Sequence, residues 1–91
     1  MGNSKAETIT RFNAAITKKF GEGAQFAHSD ADPSDDLDER IDVSVPVDKI
    51  DWSTVEPAVE VLLKESGASR YFEIGGAGLG FGYRDVSLVR R

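Results

Sequence analysis

Apolar residues recur at three- and four-residue spacing near the start of the chain. Ile9, Phe12, Ile16 and Phe20 fall within one stripe roughly 80° wide at 100° per residue, the pattern of an amphipathic helix. Ser4 and Glu7 form an S-x-x-E capping box before this stripe, which satisfies free backbone N–H groups. Glu7 and Arg11 form an i,i+4 pair opposite it, and Gly21 supplies a stop. The predicted helix spans residues 4–20.

The pattern then changes period. Residues 24–28 read as a short strand, and 29–38 as a loop without periodicity. Ile41, Val43, Val45 and Val47 alternate with Asp42, Ser44 and Pro46, which predicts a strand over 39–47 with one buried face. A second helix is predicted over 53–66. Ser53 and Glu56 repeat the capping box, Trp52 and Pro57 have the spacing of a hydrophobic staple, and Gly67 ends the helix. Val55, Val59, Leu62 and Leu63 form its apolar face, with Val61 alone on the polar side. Residues 69–74 read as a strand, Gly75 to Gly78 as a turn, and 79–89 as a long final strand.

The order α-β-β-α-β-β predicts a single α+β domain over residues 1–91. Its apolar faces are buried when both helices pack on one face of a four-stranded antiparallel sheet. The expected strand order is 1-2-4-3, a circularly permuted ferredoxin-like arrangement with one sheet face open. The halves echo each other weakly: Lys18 with Lys64, Gly21 with Gly67, Phe26 with Phe72.

Composition narrows the chemistry. The 91 residues are 40% hydrophobic and 30% charged, as in ordinary globular proteins. The absence of cysteine excludes disulfides, thiolate chemistry and cysteine-built zinc sites. No apolar run has the length of a membrane span, and no signal-peptide stretch begins the chain. The expected location is therefore the cytoplasm, that of a host cell if the chain is phage-encoded.

Charge is concentrated in one place. Residues 30–42 hold Asp30, Asp32, Asp35, Asp36, Asp38, Glu39 and Asp42 against Arg40, a local −6 within a total of −5. The remainder is therefore +1. Asp30, Asp32 and Ser34 match the first positions of a calcium loop. Asp35 stands where that loop needs glycine, however, and Ile41 where it needs glutamate. His28 with Asp30 and Asp32 is the other candidate cation cluster, but a single histidine at a strand end is more often structural or exposed. The glycines at 75, 76, 78, 80 and 82 have neither dinucleotide nor P-loop spacing. No hydrolase or metalloprotease motif occurs. The expectation is a protein without enzymatic activity, metal or cofactor.

Gly80-Phe81-Gly82-Tyr83 resembles the middle of the RNA-recognition-motif strand signature, K/R-G-F/Y-G/A-F-V-x-F/Y. The element order from residue 41 to 89, about half the chain, resembles that family as well. The resemblance implies that Phe81 and Tyr83 stand on the open sheet face as base-stacking platforms. Leu79 replaces the basic residue, Arg84 an apolar one and Val86 the final aromatic. Independently of the family, alternation places Leu79, Phe81 and Tyr83 on one strand face with Tyr71 nearby, an exposed apolar patch if the glycine face is inward.

Three functional classes follow. The first is a small acidic protein that binds another protein with a basic surface and inhibits or regulates it. Its contacts would be Asp30, Asp32, Asp35, Asp36, Asp38, Glu39 and Asp42, joined by Tyr71, Phe81 and Tyr83. Carboxylates can occupy a groove prepared for phosphates, so a phage-type inhibitor such as an anti-CRISPR protein is one version. The second is a single-stranded nucleic-acid binder using Tyr71, Phe81, Tyr83 and Arg84. The third is a small-ligand domain completed in a homodimer or larger oligomer by sheet-to-sheet packing.

Overall fold

The computed structural model describes residues 4–91. Helix α1, Lys5–Phe20, starts as the capping box predicts. The Glu7 N–H donates to Ser4 Oγ at 3.1 Å, and Ser4 Oγ donates to Glu7 Oε1 at 3.3 Å. Its apolar stripe buries Ile9, Phe12 and Ile16. Strands β1, Gln25–Ser29, and β2, Arg40–Pro46, form the first hairpin. Helix α2, Val55–Glu65, is followed by β3, Phe72–Gly80, and β4, Tyr83–Arg90. The strands lie in the order β1-β2-β4-β3 and every neighbouring pair is antiparallel.

The helices contribute Phe12, Ile16, Val55, Val59 and Leu63 to a core closed by Ile41, Val43, Val45, Phe72, Val86 and Leu88 of the sheet. The alternation in β2 assigns the faces. Ile41, Val43 and Val45 are fully buried toward the helices, while Asp42 and Ser44 are on the open face. That open face is polar. Ser44 Oγ donates to Asp85 Oδ1 at 2.6 Å, and Ser87 Oγ donates to Asp42 Oδ1 at 3.0 Å.

Two local expectations are corrected. The Ser53 capping box does not start α2. Asp51 lies two residues before Ser53, where an Asx turn is more local than a helix cap. Its Oδ1 accepts from the Ser53 N–H at 3.0 Å and from Ser53 Oγ at 2.8 Å, which winds Trp52–Thr54 into a 3-10 turn ahead of the helix. Pro57 then falls in the first turn of α2, where its missing N–H is no loss. Trp52 is half exposed, with the Arg84 guanidinium 5.0 Å from its ring centre.

The second correction concerns the glycines. The turn is not at Gly75–Gly78, which lie inside β3, but at Phe81-Gly82. Gly82 has φ +78°, the value required at the second central position of a type II turn. Gly75 serves a different need. The β3–β4 register shifts between Ile74 and Gly76, and a Cβ on Gly75 would lie 2.8 Å from Val89 Cγ1. This bulge inverts the alternation. Leu79, opposite Arg84, lies on the helix side, while Gly80 and Tyr83, in line with Pro46, lie on the open side. Leu79, Phe81 and Tyr83 therefore do not share a face, because the turn falls between them.

Candidate interaction surface

The acidic segment divides into residues that hold the fold and residues that face water. Glu39, 7% exposed, belongs to the first group. It immediately precedes β2, and there its carboxylate accepts from Lys5 Nζ at the start of α1 and from His28 Nε2 of β1 at 2.6 Å. The Lys5 ammonium also lies 5.6 Å from the Phe72 ring centre and 5.7 Å from that of Tyr71. Burial pushes the Glu39 carboxyl up. The hydrogen bonds and charges of Lys5 and His28 outweigh it, and hold the carboxyl below its usual range.

His28, Glu39 and Asp30 bring three potential metal-ligand atoms within 4.8 Å of one another, Asp30 Oδ1 lying 3.8 Å from His28 Nε2. Lys5 already supplies the positive charge that a buried Glu39 needs. The Lys5–Glu39–His28 contacts clamp α1 to the first hairpin. The cluster differs from the one expected in the sequence: Glu39 stands in place of Asp32.

Asp42 also has a structural contact. It lies on the open sheet face, where Arg40 donates from Nε at 2.9 Å and from a terminal nitrogen at 3.1 Å. The nearby carboxylate holds the Arg40 guanidinium above its usual range. Asp32 closes the loop. Its Oδ1 accepts from the Ser34 N–H at 3.1 Å and from Ser34 Oγ at 2.6 Å, which lowers its own pKa. Its backbone exchanges two hydrogen bonds with Leu37, at 2.8 and 3.0 Å.

Four carboxylates remain outward: Asp30, Asp35, Asp36 and Asp38, all exposed. Pro33–Asp35 form a 3-10 turn, and Asp36 takes a left-handed conformation with φ 58°, which aspartate tolerates better than most residues. The chain reversal holds Leu37 between Asp36 and Asp38 with 59% of its surface exposed. The loop is thus a closed turn carrying an apolar residue among acids. The sequence offered one signal for this: a single leucine in an otherwise polar run.

The aromatic residues lie elsewhere. Phe81 is fully exposed at the β3–β4 turn, with Leu79 and Tyr83 exposed beside it on opposite sides of the sheet. Tyr71 precedes β3 at its other end, partly buried against the core. It is not near Phe81. The acidic loop leaves the Ser29/Arg40 end of the β1–β2 pair, and the Phe81 turn leaves the Gly80/Tyr83 end of the β3–β4 pair. Ladder register places them at diagonally opposite corners of the sheet. The acidic and aromatic residues expected to act together are two separate surfaces.

Arg84, 14% exposed in its side chain, faces the helices between Trp52 and Glu56, 3.5 Å from the Glu56 carboxylate. Its Nε is buried and makes no hydrogen bond. Among the described residues no helix is long and apolar enough to cross a membrane. No family model, curated protein or solved structure matches the chain.

Proposed function

We propose that this protein is a non-enzymatic binding protein that docks its 30–38 loop on a basic surface of another protein. The observation that carries the reading is the pairing of Leu37 with its acidic neighbours on a closed turn. A loop held by its own hydrogen bonds loses less entropy on binding than a mobile one. Carboxylates around an apolar side chain match a basic groove with an apolar floor. The acids would speed encounter and set register, and the leucine would supply desolvated contact.

The contact set is narrower than the acidic segment itself. Asp30, Asp35, Asp36, Asp38 and Leu37 are available to a partner. Glu39 and Asp42 serve the fold, and Asp32 holds the loop closed. Inhibition of a nucleic-acid-handling protein is the version with the clearest physical motive, since a groove that binds phosphates also attracts carboxylates. Nucleic-acid binding at the Phe81 corner has less support. Arg84, the cation on β4 nearest that turn, is mostly buried and faces Glu56.

The test is capture of partners from an extract of the native cell. The bait would be the natural chain or a variant carrying Asp35→Ser, Asp36→Ser and Asp38→Ser, with each capture run at low and high salt. The expected result is a partner lost with the variant and lost at high salt. A partner retained equally in all four captures contradicts the proposal.

A further inference from the structure

The sheet has two edges of different character. The β1 edge is five residues long and leads directly into the acidic loop. The β3 edge is nine residues long, Phe72–Gly80, with Glu73 as its single charge and with no lysine or proline. Natural edge strands are usually protected by short length, charge, proline or a bulge. Here the bulge at Gly75 lies in the first half of the strand and leaves residues 76–80 in regular register.

The backbone of this stretch is set up for pairing. Gly80 and Tyr83 close a two-residue turn, so they form a pair that exchanges both backbone hydrogen bonds. Alternation then turns the N–H and C=O groups of Ala77 and Leu79 away from β4. Among the described residues nothing pairs with them. On the open face Gly76, Gly78 and Gly80 carry no side chain to hold a neighbouring backbone away. On the helix side Leu79 is 55% exposed. A row of free backbone donors and acceptors beside an exposed leucine is complemented by another β-strand.

We infer that the occupant is a second copy of this chain, joined antiparallel through β3 to make a continuous eight-stranded sheet. The strand is self-complementary. A two-fold axis at Gly78 sets Ala77 opposite Leu79 of the second copy, with the outward backbone groups of both residues facing each other. Gly78 meets its own counterpart where side chains approach most closely. No charge faces a charge within this register.

The distribution of charge permits the pairing. The −6 of residues 30–42 leaves +1 on the rest of the chain. The loop that carries most of it joins β1 to β2, on the far side of the sheet from β3. In the paired sheet the two loops are separated by six strand spacings, roughly 29 Å. That exceeds three screening lengths of about 8 Å at physiological salt. Pairing through the open faces, by contrast, would bury Asp42, Ser44, Asp85 and Ser87. The inference is independent of the binding role proposed for the acidic loop, and leaves both loops exposed.

Sedimentation equilibrium of the full chain from micromolar to millimolar concentration tests it. The expected mass rises from 9.9 kDa toward twice that value. Leu79→Lys and Ala77→Pro should each move the rise to concentrations about tenfold higher or more, a weakening of about 1.4 kcal/mol. Circular dichroism checks that each variant folds. If Ala77→Pro unfolds, Leu79→Lys decides, together with amide exchange in the natural chain. Exchange at Ala77 and Leu79 should slow as concentration rises. A single-chain mass throughout overturns the inference. So does a dimer that folded variants leave unchanged, or exchange at these two amides that is independent of concentration.

Discussion

His28 Nε2 lies 2.6 Å from Glu39 Oε2, and the other oxygen of that carboxylate is held by Lys5. The most buried acid of the charged segment thus ties the first helix to the first hairpin. Glu39→Gln should destabilise the fold by about 1.5–3 kcal/mol, the range for losing hydrogen bonds to a charged group. Chemical denaturation at neutral pH measures it.

The same contact sets an acid limb. The folded-state carboxyl of Glu39 titrates below its usual value of 4.5. Its contribution is therefore fully present above that value, and is lost as pH falls through the lower, folded-state one. Stability measured from pH 6 down to acid should fall less steeply in Glu39→Gln than in the natural chain. Parallel curves would remove Glu39 from the account.

Gly75→Ala should cost about 1–3 kcal/mol, because the new methyl would sit 2.8 Å from Val89 Cγ1 and force an overpacked shift. Adding Val89→Ala should return part of this loss. Thermal melts of the two single variants and the double variant give the coupling. Additive losses would mean that Val89 is not what requires glycine there.

Arg84→Met should leave stability within about 1 kcal/mol of the natural chain. It removes a buried Nε without a partner and a long 3.5 Å contact to Glu56, and retains an apolar stem against Trp52. Trp52 fluorescence reports the local change. A larger loss would show that the guanidinium over the indole contributes more than its packing.

Much of this architecture was legible in the chain. The Ser4 cap, the Ile9–Phe20 stripe and the β2 alternation are local signals, and burying the apolar faces led to the strand order. The misread features depend on choices that spacing alone does not make. Gly75 to Gly78 resemble a turn, yet of the glycines from 75 to 82 only Gly82 has positive φ, and Gly75 answers to a valine on the next strand. Asp51 captured Ser53 because an Asx turn is more local than a helix cap. Glu39 read as one more partner-facing acid, since Lys5 is 34 residues away and leaves no mark beside it. The separation of the acidic and aromatic corners follows from the turn position and could not be read before it.

The loop depends on Asp32. Asp32→Ala removes the acceptor for Ser34 and should speed amide exchange at Ser34. Partner affinity should fall although Asp32 itself makes no contact. Unchanged exchange would mean that the backbone bridge to Leu37 holds the turn alone.

The most direct test of the docking account is the salt dependence of affinity for the captured partner, by calorimetry. The natural chain, the Asp35/Asp36/Asp38→Ser variant and Leu37→Ala would be compared. The account predicts that affinity of the natural chain falls steeply with salt, that the triple variant binds weakly with a shallow dependence, and that Leu37→Ala weakens binding without changing the slope. Equal affinity and equal slope in all three would contradict it.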